Sequence, residues 1–441
     1  MSLKPYPKYK NSGVAWLGDV PEHWEVKAIK RLSPVQRGAS PRPIEDPKYF
    51  DDEGEYAWVR IADVSSSNGV LFETTQRLSE LGSSLSVKIN PGEIFISIAG
   101  TVGKPCISAI KACIHDGFVY FPKLETPPIF LYRIFEAGVC YAGLGKFGTQ
   151  LNLNTETIGT IQIALPPNDD LAQIINFLDH ETRKIDALIA EQEKLITLLA
   201  EKRQATISHA VTKGLNPNVP MKDSGVEWLG EVPAHWGLGK VKTYFQTCSG
   251  GTPNTSRQDL YYTDESNGIP WVRTTDLKNN ELNSVEIFIT EQALKDTACA
   301  VLPPETVMVA MYGGDGTVGK NGLLTIPAAI NQAVCGLLPA KTHLPYYVFR
   351  YVQFYRPYWM IGAESSRKDP NISQERVGNA PFPFPPIEEQ IQIVKCIDSL
   401  IDEVDALTLE ATRAISLFKE RRTALISAAV TGKIDVRGWR A

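Results

Sequence analysis

The sequence KNSGVAWLGDVPEHW, residues 10–24, returns as KDSGVEWLGEVPAHW at residues 222–236. Eleven of the fifteen positions are identical, at an offset of 212 residues. One period of this length indicates two copies of a whole domain, and not a solenoid of short repeats. The chain of 441 residues is long enough for two or three domains of ordinary size, so the repeat divides it into two related halves.

Shorter segments match in the same order after each copy. They are WVR at 58–60 and 271–273, GTVGK at 100–104 and 316–320, and a double proline at 166–167 and 385–386. The offset rises to 219 at the double proline and stays there in the segments that follow. Because surface loops tolerate insertions and packed helices do not, each half has a variable globular part followed by a part of constrained length.

The constrained parts have the pattern of long helices. Apolar residues recur every three or four positions over about 40 residues after each double proline, and such a helix would be about 60 Å long. A narrow apolar seam of this length favours pairing with another helix, and the other copy is in the same chain. Periodicity leaves the direction open, but the intervening globular part favours an antiparallel pair.

The globular parts are mixed. Residues 93–98 and 306–311 have the composition of strands, and residues 346–356 could form a short aromatic helix. The predicted fold class is α+β, with two mixed α/β globular domains joined by two long helices that pair as an antiparallel coiled coil, and with an internal pseudo-two-fold duplication. The predicted divisions are 1–167 and 220–386 for the globular domains, and 168–219 and 387–441 for the long helices.

Composition excludes several classes of protein. No apolar run is long enough to span a membrane and residues 1–10 lack a signal sequence, so we expect a soluble, cytoplasmic protein. The seven cysteines have no zinc spacing, and a G-x-x-x-x-G-K pattern ends before Asn321, where a nucleotide-binding loop needs Ser or Thr. No nucleophile elbow occurs either. We therefore expect no metal site and no catalysis by this chain.

The opening motif SGVxWLGxVPxHW, the GTVGK segments and the long helices ending in AVT, all present twice and in order, resemble the specificity subunit of type I restriction–modification systems. The resemblance implies two target recognition domains that each read one half of a bipartite, asymmetric DNA site, with the helices setting the spacer. It also implies docking of two methyltransferase subunits, which bind S-adenosylmethionine and methylate adenine. Two motor–nuclease subunits that need ATP and Mg²⁺ complete the restriction enzyme, and no cofactor is expected on this chain.

Base and phosphate contacts require forked donors, amides and lysines on turns and loops. Residues that match in both halves favour scaffold or phosphate contacts, and non-matching loop residues favour base reading. The candidate DNA-binding residues are Arg60, Asp63, Lys104, Lys146, Gln150, Asn152 and Asn154 in the first half and Arg273, Thr274, Thr275, Asp276, Lys320, Ser365, Arg367, Lys368 and Asn371 in the second.

The sequence leaves alternatives open. Arg60 and Asp63, with their counterparts, could equally form an ion pair inside the fold. The net charge is −5, and none of the four regions has a basic excess, so we expect weak DNA binding by the chain alone. A second hypothesis is an interaction or inhibitor protein that uses the same duplicated scaffold without reading DNA.

Overall fold

The computed structural model describes residues 4–144, 153–314, 316–360 and 371–440. The chain forms two compact units, the first made of Met1–Glu193 with Thr412–Ala441 and the second of Lys194–Ala411. Each unit thus contains one globular part and a portion of each long helix. The domain limits expected from the sequence follow a different criterion, the ends of the helices, and stay a prediction.

The first unit contains thirteen strands in its described residues. They are β1 (Tyr9–Asn11), β2 (Asp19–Pro21), β3 (Glu25–Ala28), β4 (Gln36–Arg37), β5 (Tyr56–Val59), β6 (Val70–Leu71), β7 (Arg77–Leu78), β8 (Val87–Ile89), β9 (Ile94–Ser97), β10 (Pro105–Ser108), β11 (Ala112–Ile114), β12 (Phe118–Tyr120) and β13 (Gln162–Leu165). Two mixed sheets, with the orders β4-β12-β9-β10-β6 and β7-β5-β11-β8, form the globular part. The pairs β1-β2 and β13-β3 complete it.

The second unit repeats this topology and adds one edge strand, β18. Its strands are β14 (Met221–Asp223), β15 (Glu231–Pro233), β16 (Gly237–Lys240), β17 (Thr247–Ser249), β18 (Tyr262–Thr263), β19 (Ile269–Val272), β20 (Asn280–Leu282), β21 (Phe288–Ile289), β22 (Val301–Leu302), β23 (Val307–Ala310), β24 (Asn321–Leu324), β25 (Ala328–Ile330), β26 (Val334–Leu337) and β27 (Pro381–Phe384). The sheet orders are β17-β26-β23-β24-β20 and β18-β21-β19-β25-β22. In both units the strand carrying the WV dipeptide pairs in parallel with its neighbour, β5 with β11 and β19 with β25.

The helices complete the α+β fold that the sequence predicts. They are α1 (Ile61–Ser66), α2 (Glu80–Ser84), α3 (Pro128–Ala137), α4 (Thr155–Thr160), α5 (Asn168–Lys213), α6 (Val241–Tyr244), α7 (Gln258–Tyr261), α8 (Glu291–Asp296), α9 (Pro345–Tyr355), α10 (Gln374–Gly378) and α11 (Ile387–Val430). The aromatic helix expected at 346–356 is α9, and most of its aromatic side chains are buried in the core of the second unit. Strands β9 and β23 confirm the two predicted strand segments.

The two long helices, α5 and α11, run in opposite directions. In the first unit Arg422 Nε lies 2.8 Å from Asp186 Oδ1, and in the second unit Arg203 Nη1 lies 2.8 Å from Asp405 Oδ1. As the residue number rises along α5 from 186 to 203, its partner on α11 falls from 422 to 405, so the pairing is antiparallel. Asp405 follows Asp186 by 219 residues and Arg422 follows Arg203 by the same offset, so equivalent residues make one interaction twice.

The repeated opening segments anchor the start of each long helix. Trp24 and Trp236 are buried in the cores of their units. His23 Nε2 lies 2.9 Å from Asp170 Oδ2 in the first turn of α5, and His235 Nε2 lies 2.8 Å from Glu389 Oε2 in the first turn of α11. A carboxylate in the first turn of a helix also interacts favourably with the positive end of the helix dipole.

Candidate nucleic-acid interface

The Arg–Asp pair of the first globular part lies where β5 ends and α1 begins. The backbone N–H of Arg60 donates to Asp63 Oδ2 at 2.8 Å, and Asp63 is nearly buried. The Arg60 side chain, with 43% of its surface exposed, extends from this turn and its Nη2 donates to Thr75 Oγ1. The aspartate therefore serves the fold, while part of the guanidinium remains accessible to a ligand.

The second globular part repeats the turn after β19. The Arg273 backbone N–H donates to Asp276 Oδ2 at 2.8 Å, and its Nη2 lies 3.3 Å from Asp276 Oδ1 and 3.4 Å from the exposed Glu286. Thr274 is buried and Thr275 is exposed. The two turns thus share their backbone geometry and the pairing of the arginine with its own aspartate, but the second partner of the arginine is the hydroxyl of Thr75 in one domain and the carboxylate of Glu286 in the other.

A cleft of about 430 Å³ adjoins the second turn. Trp271, Tyr262 and Phe288 contribute aromatic walls, and Arg273 and Glu286 contribute charge. This volume lies within the roughly 300–1,000 Å³ of small-molecule sites in proteins. Tyr262, Phe288 and Glu286 are not among the candidates from the sequence, because they come from strands and loops that carry no repeat-matched motif.

The GTVGK turns pack beneath aromatic side chains. Gly103 and Gly319 have positive φ angles of 86° and 74°. A Cβ atom on Gly319 would lie only 2.7 Å from Trp359 Cδ1, so no larger residue fits there without a shift. Tyr141 Oη donates to Gly103 O at 2.8 Å, and burial raises the pKa of Tyr141 far above its ordinary value, so it remains a neutral donor.

The two lysines of these turns differ. Lys104 Nζ donates to the carbonyl oxygens of Ser65 and Ser67, both at 2.9 Å, so its ammonium group holds the C-terminal end of α1. Lys320 makes no side-chain hydrogen bond or ion pair with another described residue, and it is half-buried. The ammonium group of Lys320 is therefore better placed than that of Lys104 to contact a phosphate.

The loops before the long helices are only partly described. Lys146, Gln150 and Asn152, together with Ser365, Arg367 and Lys368, lie outside the described residues. Asn154 caps α4, since its Oδ1 accepts a hydrogen bond from the Thr157 N–H at 2.8 Å. Ser373, which follows Asn154 by 219 residues, caps α10 in the same way. Asn371 is exposed just ahead of that cap.

The described residues contain no group of three or more His, Cys, Asp and Glu side chains that could hold a metal ion. Within the same residues, none of the helices is long and apolar enough to cross a membrane.

A family model described as the type I restriction modification DNA specificity domain matches the chain twice, at residues 21–198 and 234–415. The chain belongs to this family. The two matches coincide with the two halves of the repeat, so each half of the chain contains one copy of the specificity domain.

Specificity subunits of type I restriction enzymes are among the curated relatives of the chain. A protein of Methanocaldococcus jannaschii assigned as the specificity subunit of type I restriction enzyme MjaX is 24% identical and covers 99% of both chains. The EcoR124I/EcoR124II specificity subunit of Escherichia coli is 25% identical over 209 residues, 44% of this chain and 46% of that subunit.

Solved structures share the fold. A chain from a structure on complex assembly and conformational transition of the type I restriction–modification system has a TM-score of 0.67 at 17% identity, and covers 93% of this chain and 98% of that one. The HsdS subunit from Thermoanaerobacter tengcongensis has a TM-score of 0.54 at 16% identity, with coverage of 94% and 98%. These similarities agree with the duplicated architecture described above.

Proposed function

We propose that this chain is the DNA sequence-recognition subunit of a type I restriction–modification enzyme. Each globular part reads one half of a bipartite, asymmetric DNA site, and the pair of long helices sets the spacer between the halves. The observation that carries this proposal is that one sheet topology occurs twice, with matched turns that place different partners beside the same arginine. A shared scaffold with different local chemistry suits two domains that recognise different bases.

Although Arg60 and Arg273 match in both halves, which by itself favours a scaffold or phosphate contact, their different neighbours Thr75 and Glu286 make them our base-reading candidates among the described residues, and Arg60 is the more exposed of the two. A guanidinium presents two parallel donors that match O6 and N7 of guanine in the major groove. Lys320 is the phosphate candidate, and phosphate contacts set register without reading sequence. Lys104 is a weaker candidate because its ammonium group is already hydrogen-bonded within the fold.

Exposed apolar side chains occur at equivalent positions of the two long helices. Leu188 and Leu407, with 46% and 39% of their surface exposed, are separated by 219 residues, as are Leu198 and Leu417, with 50% and 63% exposed. Each unit thus contains an equivalent pair of exposed leucines, Leu188 with Leu417 in the first and Leu407 with Leu198 in the second, which supports docking of two copies of one partner, as expected for two methyltransferase subunits. We assign S-adenosylmethionine to those subunits, and ATP and Mg²⁺ to two motor–nuclease subunits. This chain then contributes recognition in the cytoplasm and no chemistry.

Mapping methylated adenine across the genome, in cells with and without the chain, tests the proposal. Loss of one bipartite motif on deletion is the expected result, and it identifies both half-sites and the spacer. If an active methyltransferase partner keeps the same motif without this chain, the proposal is wrong. The interaction-protein alternative instead predicts that the chain binds the methyltransferase and leaves every motif unchanged.

Binding to DNA by the chain alone should be weak because its regions lack a basic excess. Fluorescence anisotropy with a labelled cognate duplex should show a large gain in affinity when methyltransferase subunits are added. Tight, sequence-specific binding by the isolated chain at physiological salt would contradict this expectation.

A further inference from the structure

In the first unit, one cluster of charged side chains joins the globular part to both long helices. Arg133 and Glu136 lie on α3, within the globular part. Arg133 Nη2 lies 2.7 Å from Asp179 Oδ1 on α5, and its Nη1 lies 2.8 Å from Glu136 Oε2. Arg422 on α11 approaches Glu136 Oε1 at 3.0 Å while its Nε lies 2.8 Å from Asp186 on α5. Three helices therefore meet in one network.

The second unit contains the same network with one change. Arg350 Nη2 lies 2.7 Å from Asp398 Oδ1, which repeats the Arg133–Asp179 pair. Gln353 occupies the place of Glu136, and its Oε1 accepts a hydrogen bond from Arg350 Nη1 at 3.1 Å. The equivalent of Arg422 is Arg203, which pairs with Asp405 at 2.8 Å. A neutral amide thus replaces the carboxylate that joins α3 to α11 in the first unit.

The environment of the first network makes it sensitive to geometry. The side chains of Arg133 and Glu136 are only 10% and 16% exposed. Charges removed from water gain from each other only when their geometry is good, and removing one partner leaves the others uncompensated. Because Arg133 and Glu136 both lie on α3, a rotation of the globular part on the helix pair would stretch the Glu136–Arg422 contact or the Arg133–Asp179 contact.

We propose that Glu136 is a positioning residue that fixes the orientation of the first recognition domain on the helix pair, and that it thereby sharpens discrimination between DNA spacers of different length. The second recognition domain, with Gln353, lacks this additional tie. This inference rests on the proposed function, since a spacer matters only if both domains read DNA. It assigns a property of the target site to a residue that need not touch DNA.

The test uses the chain assembled with its methyltransferase subunits. Substrates are duplexes that carry the bipartite motif found by methylation mapping, with its own spacer or with a spacer one base pair shorter or longer. The measured quantity is the ratio of initial methylation rates on the native and altered spacers. This ratio is insensitive to the amount of active enzyme, so a loss of stability alone does not change it.

Glu136→Gln copies the second unit and should lower the spacer ratio, by up to about tenfold if the change removes one charge-assisted hydrogen bond. Glu136→Asp keeps the charge beside Arg133 but shortens the reach to Arg422, and it should lower the ratio as well. Glu420→Gln, the same chemical change at an exposed position of α11, is the matched control and should keep the wild-type ratio.

The outcomes separate the two proposals. If the wild-type complex methylates no bipartite motif, the proposed function fails. If the wild-type complex methylates its motif and Glu136→Gln keeps the wild-type spacer ratio, only the inference on Glu136 fails. Should Glu136→Gln be too unstable to assemble, Glu136→Asp decides: a lowered ratio supports the inference, and an unchanged or raised ratio overturns it.

Discussion

Replacing Glu389 with alanine should loosen the first turn of α11 more than Asp170→Ala loosens the first turn of α5. Both carboxylates lie in the first turn of a long helix and contact the histidine of an opening segment. Glu389 has a second role, because Trp236 Nε1 donates to its Oε2 at 3.0 Å. The indole N–H of Trp24 has no acceptor among the described residues, so Asp170 lacks this role.

The expected difference follows from these contacts. The favourable charge at a helix N-terminus contributes about 0.3–1 kcal/mol in both cases. The exposed side of each histidine limits its pair with the carboxylate to about 1 kcal/mol or less. Leaving the buried Trp236 N–H without an acceptor should cost roughly 1–3 kcal/mol more. The total is about 1–5 kcal/mol for Glu389→Ala and about 0.3–2 kcal/mol for Asp170→Ala, and the difference between them is the contribution of the indole N–H.

Hydrogen–deuterium exchange measures the loss of local stability in each first turn, because the exchange rate of a helix turn reports its opening free energy. Peptides covering the first turn of α11 in Glu389→Ala should exchange faster relative to wild type than those of α5 in Asp170→Ala, by about tenfold or more. Glu389→Gln is the control, since its amide oxygen can still accept from Trp236. Equal acceleration in the two alanine variants, or a larger one for Asp170→Ala, would refute the assignment of the difference to the indole.

Three further predictions concern the recognition domains. Asp63→Ala and Asp276→Ala should each destabilise their unit by about 1 kcal/mol, measured by thermal unfolding. Serine at either position should restore most of this stability and leave the methylated motif unchanged. A changed motif in the serine variants would instead indicate that the aspartate contacts DNA. Lys320→Ala should weaken DNA binding equally for all sequences. It should also reduce the magnitude of the slope of the logarithm of the binding constant against the logarithm of the salt concentration by about one, and an unchanged slope would show that Lys320 does not contact a phosphate. Burial lowers the pKa of His343 in the folded chain, so the unfolded chain is protonated first as the pH falls, and the free energy of unfolding should decrease below about pH 6.5. His343→Leu should flatten this part of a plot of melting temperature against pH. An unchanged plot would contradict the assignment to His343.

The duplicated architecture is readable from the order of residues alone. The opening motif and the constant offset of 219 required two copies of one domain and helix, and apolar spacing required that both helices pair along a seam. These features are readable because hydrophobic periodicity and repeat spacing are local properties of the chain. The same motifs, present twice and in order, were also enough to indicate the specificity-subunit family.

Only the tertiary structure decided how individual polar side chains are used. The repeat marked Arg60 and Asp63 as a matched pair, but packing showed that the aspartate holds the turn while part of the guanidinium stays exposed. Lys104 and Lys320 are equivalent in sequence, yet only Lys104 finds carbonyl oxygens nearby among the described residues. Such assignments depend on which atoms from distant segments come within hydrogen-bonding distance, and spacing along the chain carries no information on that.

The network around Glu136 illustrates the same limit. Its residues come from α3, α5 and α11, which are far apart in the sequence, and a change from Glu136 to Gln353 between the halves resembles ordinary divergence of a repeat. The effect of this substitution is evident only in the folded chain, where Arg422 lies beside Glu136, because the energy of a charge in a site with little water depends on the groups that it contacts. The sequence thus determined that two recognition units exist, and the tertiary structure decided how each is held.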